Sequence, residues 1–516
     1  MPKPSLGAPG VYLTEAPSGN RTVTGVTTAV TAFVGRALRG PVDEPVTLTS
    51  LAQFDQVFGG LWRESALGYA VRDFYLNGGG TARVVRLAGG ATPARLDVNG
   101  LRLIASGPGS WANHLTVEVS HPEGRDAHEV ALNETIDGGD LFHLEIRDTR
   151  PGSTDVPEVF LNVTLVDGPR RVDRILAESR LVRVEGMPEG ITRPSAGTYD
   201  TGAGKGDDGH DLGLADYLGG EGANFEADGR GLHALRRADL FNLLCLPPSR
   251  PDGTLPADIW SEALALCTAR RAFLLVDPPA AQPPGGFPQW LAGLGLAGES
   301  LRNAATYLPR IRRSDPLRDG AIGEFVPCGA LAGVMARTDA SRGVWKAPAG
   351  LDAGIVGATG LEQVMGDGES AHLNPLGINC LRAFPQAGVV VWGARTLRGA
   401  DTLADDYKYV PVRRFALFLE ESLYRGTQWV VFEPNDEQLW SQIRTSLGSF
   451  MQDLFRQGAF QGRTPREAYF VACDAETTTQ YDIDRGVVNI LVGFAPLKPA
   501  EFVVISVQQK TAAAVG

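Results

Sequence analysis

Apolar residues fall in short blocks between Gly, Pro and Asp punctuation, and the period inside the blocks changes along the chain. The β-branched run TTAVTAFVG (27–35) predicts a buried strand. Ser50 with Gln53 makes a capping-box pattern ahead of Phe54 and Phe58, and Gly59-Gly60 stops that helix. A second helix is predicted from about Ser65, with Leu67, Val71 and Phe74 on one face and Asn77-Gly78-Gly79 at its end; ARVVRL (82–87) then returns as a strand. Between 90 and 210 the period becomes two. LTVEVS (115–120), LFHLEIRD (141–148) and VFLNVTLV (159–166), joined by Gly, Pro and Asp turns, predict a small antiparallel β domain with one solvated face, inserted into the rest. The stretch from Thr198 to Gly213 reads as a flexible linker out of it.

From Asp239 the blocks are uninterrupted apolar runs. FNLLCLPP (241–248) and FLLVDPP (273–279) flank a helix from about Pro256 to Arg271, a βαβ crossover that predicts parallel strands. Between Gln282 and Asp319 only one short helix is legible among Pro and Gly. Further on, AGVVVWGA (387–394) predicts a buried strand, Pro411 to Arg425 a helix stopped by Gly426, and QWVVFE (428–433) a further strand. Asn435, with Gln438 as its capping-box partner, opens a longer helix. Leu439, Ile443, Leu447, Phe450 and Leu454 follow helical spacing, widened by Trp440, Met451 and Phe455, with Gly458 as the stop. Arg444, Gln452 and Arg456 fall on the outward face. The fold class is α/β and α+β, multidomain.

Each end of the chain carries a short strand-like segment bounded by breakers. Val11 to Thr14 (Val11, Tyr12, Leu13, Thr14) lies between Pro9-Gly10 and Pro17-Ser18-Gly19, and Phe502 to Val507 (Phe502, Val503, Val504, Ile505, Ser506, Val507) follows LKPA (497–500). A strand without a covering core offers its backbone donors and acceptors to another sheet. Complementary strands at both ends suit a heterologous, non-closing contact between copies. The plain alternative is that each pairs within its own chain.

Composition narrows the partners. At 516 residues the chain has room for two or three domains with cores, and a net charge of −12 argues against nucleic acid as the main partner. No run of eighteen apolar residues predicts a membrane-inserted helix, and MPKPSLGAPG has no apolar stretch of the kind a secretory signal needs. The five cysteines (Cys245, Cys267, Cys328, Cys380, Cys473) are scattered in apolar runs and read as buried reduced thiols. Thr201 to Gly209 lacks the GK[ST] ending and the preceding strand of a phosphate loop, so a solvated linker is the better reading. Four of seven histidines crowd into the insertion without metal-ligand spacing, and no nucleophile elbow is present. These readings expect no catalytic residue, cofactor or metal; the competing reading is a cytoplasmic α/β enzyme with an unrecognised site.

PGVY (9–12), the GVT-x7-GxxxxGP run from Gly25 to Pro41, FxxxFG at Phe54 to Gly59 and NGGGTARVVRL (77–87) resemble the N-terminal part of contractile tail sheath proteins. The C-terminal blocks are at least as specific: Gly377 to Leu397, Tyr409 to Trp440, Glu467 to Asp474 and Val492 to Val504. The resemblance implies a shared α/β sheath core formed by N- and C-terminal parts, with an inserted antiparallel β-rich domain and extended terminal strands. On that frame residues 1–20 are a linking arm, 21–90 the N-terminal part of the core, 91–210 the outer domain, 211–375 a middle α/β domain, 376–500 the domain facing an inner tube, and 501–516 a linking strand and tail. It further implies stacked hexameric rings in a helical tube, with Val11–Thr14 and Phe502–Val507 as the linking strands. Contraction would need no ATP and would drive the inner tube through a target envelope. The implied partners are further copies of the chain, an inner tube protein, baseplate and terminal cap proteins, and a sheath paralogue sharing the tube. Arg444, Gln452 and Arg456 are the inner-tube contact candidates. Assembly is expected in a bacterial cytoplasm, in a phage-tail-like injection particle or a true phage tail.

Overall fold

The computed structural model describes residues 22–122, 140–151, 153, 156–187, 192–220 and 229–502. The chain forms two compact units, one of Thr27–Arg414 and one of Met1–Val26 with Phe415–Gly516.

In the larger unit, β1 (Thr31–Gly35) is buried throughout, as its β-branched run predicts. β2 (Pro45–Leu48) leads to α1 (Leu51–Phe58), where Ser50 Oγ accepts the Gln53 N–H at 3.3 Å and Gly59 turns the chain out at φ 82°. Gln53 Oε1 in turn accepts from the Thr49 N–H at 2.8 Å, one residue before the cap. α2 (Leu67–Leu76) buries Leu67, Val71 and Phe74, and β3 (Ala82–Arg86) returns parallel to β1.

The insertion is antiparallel β, as the alternation predicts. It contains β4 (Arg95–Val98), β5 (Leu101–Ala105), β6 (Leu115–Ser120), β7 (Phe142–Asp148), β8 (Glu158–Val163), β9 (Val182–Gly186) and β10 (Gly197–Asp200). Two sheets, ordered β10-β6-β7-β8 and β4-β5-β9, bury one core that includes Leu96, Leu103, Trp111, Val117, Leu144 and Val182. The stretch Thr198–Gly213 is not a flexible linker. Its first residues are β10, and Asp208 accepts from Ser110 N–H at 2.7 Å and Ser110 Oγ–H at 2.6 Å. Arg36 reaches Asp211 at 3.0 Å. The glycines there serve close approach: a Cβ on Gly206 would stand 2.6 Å from the Thr92 carbonyl oxygen.

The core sheet continues through β11 (Leu243–Cys245), α3 (Ala257–Ala269), β12 (Phe273–Val276) and β13 (Ala304–Leu308). β14 (Ile311–Ser314) and β15 (Ile322–Phe325) form a hairpin ahead of α4 (Cys328–Arg342). β16 (Gly360–Leu361), β17 (Asn379–Phe384) and β18 (Gly388–Val391) follow. The eight-stranded order is β18-β17-β13-β12-β11-β1-β3-β2, with antiparallel pairing at the two edges and parallel pairing between them. β13 and β14 lie where the sequence shows only one short helix. β13 reads Ala-Ala-Thr-Tyr-Leu, too poor in β-branched residues to announce a strand, yet its position between β12 and β17 buries it completely. All five cysteines are buried and free of disulfides.

α5 (Val410–Gly426) begins in the larger unit and runs into the smaller one. Two expectations fail between it and α6 (Glu437–Arg456). QWVVFE is not a strand: Val430 N–H bonds Thr427 O and Glu433 N–H bonds Val430 O, so these donors are used in tight local turns and none serves a ladder. The cap of α6 is Asp436, whose Oδ1 accepts the Leu439 N–H at 2.9 Å, because Asn435 is engaged elsewhere. Asn435 accepts the Trp440 indole N–H at 2.8 Å and donates to Val487 O at 3.0 Å. The apolar stripe of α6 is as read, with Leu439, Ile443, Leu447, Phe450 and Leu454 buried. β19 (Tyr469–Ala472) and β20 (Leu491–Phe494) complete the smaller unit.

Candidate functional site: a sheet of two strands

β19 and β20 pair antiparallel with Tyr469 opposite Phe494, Phe470 opposite Gly493, Val471 opposite Val492 and Ala472 opposite Leu491. One face of this small sheet is anchored. The Tyr469 hydroxyl donates to Gln452 Oε1 of α6 at 2.9 Å, and burial pushes that phenol up from its ordinary value. Phe494 meets Phe415 edge-to-face at 5.5 Å between centroids, and Phe460 lies against both Tyr469 and Phe494. The opposite face is apolar and open: Phe470 is 53% exposed, its ring folded over Gly493, and Leu491 is 55% exposed.

Among the described residues both long edges are free of further strands as well. The Ala495 N–H donates to Ala468 O at 2.8 Å, one pair beyond the ladder. Antiparallel alternation then makes Phe470–Gly493 and Ala472–Leu491 the bonded pairs and turns the main-chain groups of Val471, Val492 and Phe494 outward. Among the described residues none of those outward groups has a hydrogen-bond partner. An isolated pair of strands is marginal in water, and unpaired edges are templates for further strands. Exposed aromatics concentrate in the same unit. Of the six among the described residues (Trp392, Tyr424, Phe432, Phe470, Tyr481, Phe502), all but Trp392 belong to it, a composition suited to burial against other chains.

Of the linking strands expected from sequence, Val11–Thr14 and Val503–Val507 lie outside the described residues; Phe502 is described and is 76% exposed. The three outward candidates on α6 occupy different settings. Arg444 bonds Glu437 at 2.5 Å and also the Cys473 carbonyl, and the Glu437 hydrogen bond raises its already high pKa. Gln452 holds Tyr469, whereas Arg456 faces solvent with Asp453 at 3.5 Å. Sequence reading takes Phe470, Val492 and Phe494 only as parts of family-like blocks, omits Leu491 and predicts no strand at either place, since four-residue strands are too short for a periodic signal.

The family model described as "Phage tail sheath C-terminal domain" matches residues 403–510, which contain this sheet, and that described as "Phage tail sheath protein central domain" matches 301–397. Over these residues the chain resembles the phage tail sheath family. It is 26% identical over 186 residues to the tail sheath protein of Vibrio phage KVP40, covering 35% of this chain and 26% of that one. With the tail sheath protein of Enterobacteria phage T4 it shares 25% identity over 250 residues, 47% of this chain and 36% of the relative. The matched stretches thus span about a quarter to a third of those relatives' own lengths. In fold the chain is similar to the sheath of an extracellular contractile injection system, the PVC sheath complex in its contracted state, with a TM-score of 0.59 at 21% identity over 98% of each chain. Among the described residues no helix is long and apolar enough to cross a membrane. Nor, among them, do three or more His, Cys, Asp or Glu gather to hold a metal ion.

Proposed function

We propose that this chain is the structural, non-catalytic subunit of the contractile sheath of a phage-tail-like injection machine. It polymerises as stacked hexameric rings in a helical tube around an inner tube, and contracts to drive that tube through a target envelope. The observation that carries this reading is the two-stranded sheet whose edges, among the described residues, take no further strand. Val11–Thr14 of one copy and Phe502–Val507 of another would each add a strand to the β19–β20 sheet of a third. Each added backbone hydrogen bond contributes about 0.5–1.5 kcal/mol net, so several per junction give strong cohesion across a lattice. The inner tube protein, baseplate and terminal cap proteins are further partners in this reading. Arg456 on α6 is the tube-contact candidate with the most reach, and Arg444 and Gln452 hold the helix and sheet that present it.

The likeness to an extracellular injection system's sheath across nearly the whole chain supports an injection particle. The alternative, a true phage tail, is favoured by the sequence likeness to two phage sheaths. Electron microscopy of the chain co-expressed with its neighbouring tube-like gene tests the reading. Striated cylinders, some short, wide and hollow, are expected. Only small closed oligomers under assembly conditions would sink it. A packaging terminase among the gene neighbours would decide for the phage tail.

A further inference from the structure

The described chain begins at Thr22, and its first residues run along α5 in the opposite direction. Val23 is buried against Gly426: a Cβ on that glycine would stand 2.6 Å from Val23 Cγ1. A Cβ on Gly25 would stand 2.9 Å from the Phe418 ring. The Val26 N–H donates to Oγ of the fully buried Ser422 at 3.1 Å. The Thr28 carbonyl accepts from Arg414 Nη2 at 3.0 Å. The four helix positions, 414, 418, 422 and 426, recur every fourth residue and so form one stripe. Along the axis they span about 18 Å, close to the reach of five extended residues. Arg414 is itself fixed by a two-pronged bond to Asp339 of α4 at 3.0 and 2.6 Å, with both side chains buried. Beyond Thr28 the chain is held at Val30, whose N–H bonds Asn242 Oδ1 at 3.0 Å, and then enters β1 inside the core sheet.

We propose that Val23–Thr28 is a strap that seats the root of the N-terminal arm on the Arg414, Phe418, Ser422 and Gly426 stripe of α5, so that a pull on the arm is shared among these contacts before it reaches β1. Without the strap, the pull would fall first on the single entry to the sheet at Val30. The glycines at 25 and 426 are positioning residues: their missing side chains are the groove. What pulls the arm is taken from the linking role proposed above; the seating itself is independent of it.

Gly426→Ala separates this from ordinary helix energetics, because alanine suits the last helical residue of α5 at least as well as glycine while its Cβ evicts Val23. In the full-length, unassembled chain, hydrogen exchange of the Val26 amide should quicken about tenfold in Gly426→Ala, the effect of losing one hydrogen bond of ordinary strength. Val23→Ala added to that variant should restore the exchange rate by returning the space. Ser422→Ala gives a second route to the same loss should the first variant fold poorly. Unchanged exchange in both single variants overturns the strap. Sheaths assembled from Gly426→Ala should break into shorter pieces under sonication than wild type, and equal lengths overturn the load sharing. Removal of residues 1–17 tests the linking role separately: the strap's exchange stays unchanged whether or not tubes form.

Discussion

Asp277 closes β12 with its carboxyl in the interior, accepting the Cys328 N–H at 3.0 Å. Burial pushes that carboxyl up to about 7 from an ordinary 3.8, against the opposing pull of the Cys328 hydrogen bonds and Arg310. The folded chain therefore keeps a proton here that the unfolded chain has released. The contribution is full below about pH 4 and is lost as pH rises through 7, by up to about 1.4 kcal/mol per pH unit. Asp277→Asn keeps an acceptor for Cys328 and should flatten the change in urea midpoint between pH 5 and 7. At the next cap, Asp436→Ala should cost about 1 kcal/mol, read as a lower Tm, by stranding the Leu439 N–H at the start of α6. Asn435 was the sequence's choice for that role because both residues are good caps. Only the contacts with Trp440 and Val487 show which one is already committed.

Among the elements, helices were the most legible. α1 and α6 each carry a side-chain cap, and these two and α2 each carry an apolar stripe with a glycine at or just past the end, so the forces that define them are local. Strands were legible where the sheet has a wet face or β-branched residues, as in β1, β6 and β7, and illegible at β13, whose burial comes from its neighbours. QWVVFE shows the converse, a β-like composition whose backbone is spent in turns, leaving Phe432 at φ 69° with its ring wholly exposed. The open edges of β19 and β20 give the sharpest test at this scale. Val492 turns its N–H outward, so Val492→Pro removes a donor for an incoming strand and leaves the internal ladder intact. A folded, soluble subunit that forms few or no tubes by electron microscopy is expected. Tubes at wild-type yield would show that this edge takes no strand.

For the molecule as a whole, the described residues of the smaller unit include Val23–Val26 and the β19–β20 sheet, and those of the larger one include Thr27, Thr28, the core sheet and the insertion. Removing residues 1–17 should leave circular dichroism and solubility unchanged and abolish tube formation; normal tubes would exclude the N-terminal arm as a link. The sequence by itself determined the capped helices, the apolar βαβ runs, the β character of the insertion and the resemblance to sheath proteins, since each is written in residues close together along the chain. The tertiary structure alone decided that Thr198–Gly213 is docked by its aspartates, that β13 is a central strand, and that β19 and β20 pair with no third strand among the described residues. It also decided that Val23–Thr28 lies along a helix some four hundred residues later in the chain. Those features depend on pairing between distant segments, where the energy comes from space and hydrogen-bond partners that no local pattern records.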